Sequence, residues 1–325
     1  DLTSYMTNIQ REATPLFTML PKDTVSKTTF ETQVDDYGDT DDLEGVGSSE
    51  DADSFQNESE NRGIIENSVM KMWEKPSVDD FAENVNENPA LTAGEYAESV
   101  RKAIVRLKFR AEKVIMSQRE ASKQDGSGTK YNTCAIGGFL KASAPSGTQV
   151  IPSRFRMPSA QEYNSTVALL TEDALHDVLQ EIFEQTNGAG DFVMPCGSEL
   201  KQKVSSFSIY RPDLASNTIV RNVNNVNNGT LEQVVDFLVG DFGRVKLVPV
   251  TRMRWQDGSR VATATAKRRG SGYILDLSMW GLAFKRKPSH RALQDEGGGP
   301  RGIVDMIFAL RCKNPLGNGS VVVSG

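Results

Sequence analysis

Residues 93–123 have the sequence AGEYAESVRKAIVRLKFRAEKVIMSQREASK, in which apolar side chains recur at alternating spacings of three and four. The repeating positions are Ala97, Val100, Ile104, Leu107, Ala111 and Val114. Such spacing gathers them into one stripe of an α-helix. The segment lacks proline, and Thr92 with Glu95 has the spacing of an N-terminal capping box. We predict one helix over residues 93–123, about 46 Å long at about 1.5 Å per residue.

The same helix carries an excess of positive charge. Eight Lys or Arg residues stand against four Glu residues in this segment. An ordinary solvated helix face and a nucleic-acid contact are both consistent with that excess. The candidate DNA-facing residues are Arg101, Lys108, Lys113 and Arg119.

The segment before the helix is strongly acidic. Residues 31–61 contain 12 Asp or Glu and no Lys or Arg, whereas residues 244–313 contain 15 Lys or Arg and 5 Asp or Glu. The net charge of −6 for the whole chain hides this separation. Like charges repel along an acidic run that has few apolar residues, so it either stays disordered or lies on something basic outside itself. Solvated loops of opposite sign are the simpler alternative.

The remaining patterns describe a mixture of helices and strands. An arm over residues 1–22 bends in an extended form at Thr14-Pro15-Leu16-Phe17, and alternation predicts a strand over 25–34 with a return strand over 63–73. Thr171 can cap a helix to residue 185, and 198–207 is a further helix. Strands are expected over residues 191–196, 234–239, 245–250, 272–277, 281–286 and 303–312. This order indicates an α+β fold in a chain of 325 residues, long enough for two lobes.

Residue patterns for catalysis or metal binding are weak. His176, expected on a helix surface, and His290, expected in a basic loop, have no partner at metal-ligand spacing, and the three cysteines are far apart. Gly297, Gly299 and Gly302 match a dinucleotide-binding string, but Pro300 interrupts the helix start that such a site needs. No stretch approaches the roughly 18 apolar residues that span a bilayer. We therefore expect no enzyme activity, cofactor, metal site or membrane segment.

Several strings, in this order, resemble the major capsid proteins of tailed bacteriophages with the Hong Kong 97-type fold, nearest the branch typified by the phage SU-ten capsid protein. The strings are Thr14-Pro15-Leu16-Phe17, Thr28-Thr29-Phe30-Glu31, the helix over 93–123, Gly137-Gly138-Phe139-Leu140, Gly188-Ala189-Gly190-Asp191 and Gly240-Asp241-Phe242-Gly243. In that family, Gly137 to Leu140 would form a small strand after the long spine helix. The acidic segment departs from the pattern, because it carries more charge than the resemblance leads us to expect.

The resemblance implies a division of the chain. Residues 1–26 would form an N-terminal arm, 27–76 an extension loop with an acidic tip, and 77–168 a peripheral domain including the spine helix. Residues 169–235 would form an axial domain, 236–300 further strands of the peripheral domain, and 301–325 a return to the axial domain.

The resemblance also implies partners. Subunits would assemble as hexamers and pentamers into an icosahedral virion capsid around double-stranded DNA, within the host bacterial cytoplasm, with cement, portal and scaffolding proteins as further partners. Opposite charges suggest that the acidic loop of one subunit lies on a basic surface of the next. The candidate contact residues are Asp35, Asp36, Asp39, Asp41, Asp42, Arg252, Arg254, Lys267, Arg268 and Arg269. A subunit of another encapsulating shell and a non-catalytic nucleic-acid-binding protein are the alternatives.

Overall fold

The computed structural model describes residues 13–37, 62–84, 94–124, 128–165, 167–188, 190–207, 236–251, 253 and 270–321. The helices are α1 (Pro15–Met19), α2 (Asp80–Asn84), α3 (Glu95–Ile115), α4 (Ile136–Phe139), α5 (Glu172–Thr186) and α6 (Ser198–Phe207). The strands are β1 (Lys22–Thr24), β2 (Thr29–Val34), β3 (Gly63–Ser68), β4 (Met70–Glu74), β5 (Glu162–Tyr163), β6 (Gly190–Cys196), β7 (Phe237–Gly240), β8 (Gly243–Pro249), β9 (Gly272–Ile274), β10 (Trp280–Ala292), β11 (Gly302–Cys312) and β12 (Gly319–Val321). No helix within these ranges is long and apolar enough to cross a membrane.

The long helix is present, but it is shorter than predicted. Helix α3 has 21 residues and buries Ala103, Leu107, Ala111 and Val114, which belong to the apolar stripe or lie beside it. It ends at Ile115, and beyond that residue the N–H of Ser117 donates a hydrogen bond to the Val114 carbonyl of the last turn at 3.1 Å. The hydroxyl of Ser117 donates a hydrogen bond to the Val114 carbonyl at 2.7 Å. The chain beyond leaves the helix, and Ser122 pairs with Asn132 in an isolated antiparallel bridge.

The larger core lies between α3 and one face of a four-stranded sheet with the strand order β1-β10-β11-β4. We call this the inner face of the sheet. Leu282, Phe284, Met306 and Phe308 project from it into the core, where helix α1 contributes Leu16. On the outer face of the same sheet, Phe30 and Val69 are the buried apolar residues that the described part of the chain packs on Ala283 and Ala309.

A second core lies beside a six-stranded sheet with the order β5-β12-β9-β6-β8-β7. Helix α5 begins as predicted, since the Thr171 side chain accepts a hydrogen bond from the Ala174 N–H at 3.2 Å. Its Leu175, Val178, Leu179 and Ile182 are buried. It ends at Asn187 in the left-handed conformation, one residue before the predicted Gly188.

The sheets group the late strands differently from the predicted domains. Strands β7 and β8 form the predicted hairpin, but β8 also pairs in parallel with β6, so residues 237–249 join the sheet of the predicted axial segment. Of the two described strands after residue 300, β11 pairs with β10 and β4 in the four-stranded sheet, whereas β12 joins the six-stranded sheet. The reason is apolar burial: Val245 and Leu247 pack in the second core. The division into arm, loop and two domains stays a prediction.

The start of the predicted extension loop is an antiparallel ribbon. Strands β2 and β3 pair from Thr29↔Ser68 to Val34↔Gly63. The predicted return strand over 63–73 is in fact two strands separated by Val69, because β3 pairs with β2 whereas β4 pairs with β11. The acidic tip, residues 38–61, lies outside the described residues.

Three local predictions were wrong. The predicted extended bend at residues 14–17 contains the start of helix α1, where Pro15 occupies the first turn and needs no N–H partner there. The predicted strand at residues 137–140 is the short helix α4, whose Gly138 approaches the Arg119 carbonyl too closely for a side chain. His290 lies in strand β10, not in a loop.

Candidate assembly and nucleic-acid surfaces

The base of the acidic loop is paired with its own subunit. Asp35 accepts a hydrogen bond from Arg62 at 3.2 Å, and Asp36 accepts one from Arg154 at 2.8 Å. All four side chains are at least partly exposed, so each pair contributes about 0–1 kcal/mol. Two of the ten predicted subunit-contact residues therefore have partners within the chain. The others, Asp39, Asp41, Asp42, Arg252, Arg254, Lys267, Arg268 and Arg269, lie outside the described residues, and their contact stays a prediction.

The four predicted DNA-facing residues do not form one surface of a helix. Arg101 and Lys108 are exposed on α3 and are seven positions apart, so they lie on the same side two turns from each other. Lys113 is half-buried near the helix end. Arg119 lies beyond that end, and burial lowers the pKa of its guanidinium. Any DNA contact on the exposed side of α3 would therefore involve Arg101 and Lys108.

Arg101 also forms an ion pair within its own helix. It donates two hydrogen bonds to the Glu98 carboxylate, each of 2.9 Å. These bonds lower the pKa of Glu98, against the effect of partial burial, and Lys102 adds a weaker contact at 3.7 Å. The pairing neutralises part of the predicted basic face. Lys108 is then the more accessible of the two cations on that side of α3.

Sequence reasoning missed a polar cluster on the outer face of the four-stranded sheet. Asp305 of β11 has a fully buried side chain and accepts hydrogen bonds from Arg286 at 2.8 Å and from Arg291 at 3.0 Å. Ser289 donates a weaker one at 3.3 Å. The arginines are 44% and 55% exposed, so their charges reach the surface. The available signal was a single carboxylate within the apolar run IVDMIFAL, since buried carboxylates require partners.

Register places a tryptophan beside this cluster. Trp73 of the edge strand β4 lies opposite Asp305, and Lys71 lies opposite Ile307. Trp73 is 46% exposed, and the ammonium group of Lys75 lies 4.3 Å from its ring centroid, within the range of a cation–π contact. The part of the outer face around Asp305 therefore combines the cations of Lys71, Lys75, Arg286 and Arg291 with the accessible ring of Trp73.

The thiols offer no reactive group. Cys134, Cys196 and Cys312 are unpaired and buried. Burial raises the pKa of all three, that of Cys196 to about 11. Thiolates, the reactive form, are therefore scarce at neutral pH. Within the described ranges, no group of three or more His, Cys, Asp or Glu residues could hold a metal ion.

The family model of the SU10 major capsid protein matches residues 1–324. The chain belongs to that family. This capsid protein is therefore a structural component of a phage shell, as the resemblance in its sequence implied. Comparison with curated protein sequences gives no match.

Solved shell proteins share the fold of the capsid protein. The capsid of the cyanophage P-SCSP1u is 10% identical and superposes with a TM-score of 0.59, covering 100% of this chain and 92% of that one. The capsid of a native GTA particle is 12% identical with a TM-score of 0.59, covering 100% and 95%. That of Mycobacterium phage Bobi is 10% identical with a TM-score of 0.51, covering 98% and 93%.

An encapsulin has the same fold. The holo-SrpI encapsulin complex from Synechococcus elongatus PCC 7942 contains a chain that is 11% identical, with a TM-score of 0.50, covering 95% of this chain and 86% of that one. At such identities the superpositions establish the α+β Hong Kong 97-type fold alone. The family match is what distinguishes a phage capsid from the alternative of an encapsulating compartment.

Proposed function

We propose that this capsid protein self-assembles through hexamers and pentamers into an icosahedral shell that encloses double-stranded DNA, within the cytoplasm of a bacterial host. The match to the capsid family over residues 1–324 carries this proposal. A closed shell repeats each contact between subunits many times, so weak complementary contacts suffice.

DNA would be held by charge and not by base recognition. Exposed Arg101 and Lys108 are the leading contacts on α3, with Lys113 and Arg119 contributing less because they are half-buried. Cations that neutralise phosphates release counterions, so binding would weaken steeply as salt rises. Cement, portal and scaffolding proteins are further partners in the proposal, and the arm, extension loop, peripheral and axial divisions given above belong to it as well.

The acidic loop would lie on a basic surface of a neighbouring subunit. Its contribution comes from Asp35, Asp36, Asp39, Asp41 and Asp42, and complementary charges would guide the register between subunits. The basic partner predicted from sequence includes Arg252, Arg254 and Lys267 to Arg269.

Particle size tests the assembly. Purified protein examined by size-exclusion chromatography and negative-stain electron microscopy is expected to give closed megadalton particles. A small oligomer with salt-dependent affinity for duplex DNA would instead support the nucleic-acid-binding alternative.

A charge-neutralised variant tests the loop. Replacing the five Asp residues between positions 35 and 42 by Asn is expected to lower the particle yield at moderate salt. The five-fold Asn variant of Asp79, Asp80, Asp173, Asp177 and Asp191, all outside the loop, serves as the matched control. Equal yields from both variants and the unmodified protein would contradict the electrostatic role of the loop.

A further inference from the structure

We infer that Asn187, at the end of helix α5, is a site of spontaneous chemical modification, where the side-chain amide is lost through a succinimide to give Asp or isoaspartate. The reacting groups are the side chain of Asn187 and the backbone nitrogen of Gly188, with water as the co-reactant. The inference goes beyond the proposed function, because it concerns the chemistry of the single subunit.

The reaction needs a backbone nitrogen that can reach the carbon of a side-chain amide. The nitrogen of Gly188 attacks Cγ of Asn187 and gives its proton to water, the new N–Cγ bond closes a five-membered ring, and the Cγ–Nδ2 bond breaks to release ammonia. Water then opens the ring at either carbonyl carbon, and the Gly188 nitrogen regains a proton. Nothing is oxidised or reduced. Because both groups belong to one chain, the rate depends on how freely they can align.

The sequence gives three equivalent candidates for this reaction. Asn-Gly pairs occur at residues 187–188, 228–229 and 318–319. Glycine in the second position favours ring closure, because it has no side chain to hinder its nitrogen and its backbone rotates more freely than that of other residues. The pair at 228–229 lies outside the described residues. The structure distinguishes the other two.

Asn318 is protected by the fold. It is fully buried, and its Oδ1 accepts hydrogen bonds from the Asp276 N–H at 3.0 Å and from the Trp280 indole at 2.8 Å. Its Nδ2 donates to a backbone carbonyl at 3.0 Å. Gly319 is equally confined, since a Cβ there would lie 2.9 Å from the Val178 side chain. Turning the amide toward the Gly319 nitrogen would break these hydrogen bonds inside a packed region.

Asn187, in contrast, is exposed where its helix ends. It adopts the left-handed conformation, with φ of 53° and ψ of 31°, and within the described part of the chain it is the one non-glycine residue with a positive φ. This conformation is less stable for a residue with a side chain than the right-handed one. Helix ends also open locally more readily than helix interiors. Both properties favour rotation about the Cα–C bond of Asn187, which brings the Gly188 nitrogen to Cγ.

Gly188 has room to move. Beyond the adjacent residues, the atom nearest to an added Cβ is the Thr186 carbonyl oxygen at 4.0 Å. The Thr186 hydroxyl lies 2.7 Å from the Ile182 carbonyl oxygen and 3.2 Å from that of Gly188. A hydroxyl has one proton to donate, and the shorter contact takes it. Gly188 is therefore held only weakly, and the movement leaves the second core in place.

The product places a negative charge where it is unfavourable. The carbonyl end of a helix carries a partial negative charge, which repels a carboxylate at position 187. Glu184 lies three positions earlier in the sequence and adds a like charge about one turn away. Isoaspartate also inserts an extra carbon into the backbone between α5 and β6. The modification is therefore expected to weaken the end of α5.

Peptide mapping tests the site directly. Purified full-length protein is incubated at neutral pH in water enriched in a heavy oxygen isotope, which labels the carboxyl group formed by ring opening, and is then digested in ordinary water. Mass spectrometry should show at least about tenfold more labelled product at position 187 than at position 318. In urea, where the fold no longer protects Asn318, the two rates should become similar. If Asn187 reacts no faster than Asn318 in the folded protein, the inference is wrong.

Gly188→Ala is the matched variant for the mechanism. The added methyl group has room, and Gly188 is not among the residues with a positive φ, so the fold should be retained. Because the methyl group hinders the attacking nitrogen, labelled product at position 187 should fall at least about tenfold while the urea midpoint stays unchanged. Product that forms as fast as in the parent protein would show that the amide is lost without the ring, and would overturn the mechanism.

Asn187→Asp tests the consequence, since it creates one of the two products. The urea midpoint should fall relative to that of the parent protein, and the difference should shrink at high salt, which screens the charges. Asn187→Gly is the control: it suits the left-handed conformation without adding a carboxylate and should be at least as stable as the parent protein. An unchanged midpoint for Asn187→Asp would overturn the expected weakening of α5.

Discussion

The inner and outer faces of the four-stranded sheet are formed by the same strands, yet they are covered in different ways. The inner face presents Leu282, Phe284 and Phe308 to α1 and α3, and these side chains are almost fully buried. The outer face is covered by Phe30 near its middle and then presents Trp73 and two arginines held by Asp305. One face is completed within the subunit, and the other has the composition of a contact surface, where Trp and Arg are enriched.

The comparison separates stability from assembly. Substitutions on the inner face should lower the free energy of unfolding of the single subunit. Substitutions on the outer face should change that free energy less and affect contacts between subunits more. Each of the following predictions concerns unassembled subunits, measured by urea denaturation, and each strengthens or contradicts this distinction.

Phe308→Ala is expected to have the largest effect. The ring is fully buried on the inner face, with the Phe284 ring centroid 6.5 Å away. Its loss should reduce the free energy of unfolding by about 3–5 kcal/mol, because a cavity remains. Phe308→Leu, the conservative control, should cost less. If Phe308→Ala lowered the free energy of unfolding less than a substitution on the outer face does, the distinction between the two faces would be wrong.

Asp305→Ala should cost about 1–3 kcal/mol. The carboxylate is buried and accepts two arginine hydrogen bonds, but the arginines regain water because they are about half exposed. Asp305→Asn retains an acceptor and should cost less in the same titration. If both variants unfolded like the parent protein, the buried carboxylate would have no role in stability.

Trp73→Ala should cost about 1 kcal/mol, since about half of the side chain is already in water and the Lys75 contact is weak at an exposed site. Trp73→Phe retains most of the covered area and should be nearly neutral. A cost as large as that of Phe308→Ala would show that Trp73 belongs to the core of the subunit.

Lys71→Ala should change the free energy of unfolding by less than about 0.5 kcal/mol, as expected for an exposed side chain. Arg106→Ala, at an exposed position of α3, gives the baseline for a surface cation. A destabilisation clearly above that baseline would assign Lys71 a structural role.

Regular periodicity made much of the fold predictable from sequence. Helices α3, α5 and α6 and the β7–β8 hairpin were identified because apolar spacing and turn residues act locally. The division of this segment into two strands at Val69 could not be predicted from the sequence. Residues 63–73 are extended throughout, and only the strands with which they pair change. Long-range pairing also decides which sheet receives β8 and β11.

The candidate surfaces were harder to predict. Charge excess indicated basic regions, but it could not show that Arg101 is paired with Glu98 or that Arg119 lies beyond the helix end. The polar cluster around Asp305 joins β4 to β10, whose residues are more than 200 positions apart in sequence. Only the register of β11 between them reveals that Trp73 and Asp305 are neighbours.

Val69 is the single residue between the ribbon strand β3 and the sheet strand β4. It is buried, and its N–H donates a hydrogen bond to the Thr28 carbonyl at 2.9 Å. No loop separates the two strands, and the chain changes its pairing partner from β2 to β11 within one residue. One extended segment therefore belongs both to the ribbon at the base of the acidic loop and to the edge of the four-stranded sheet.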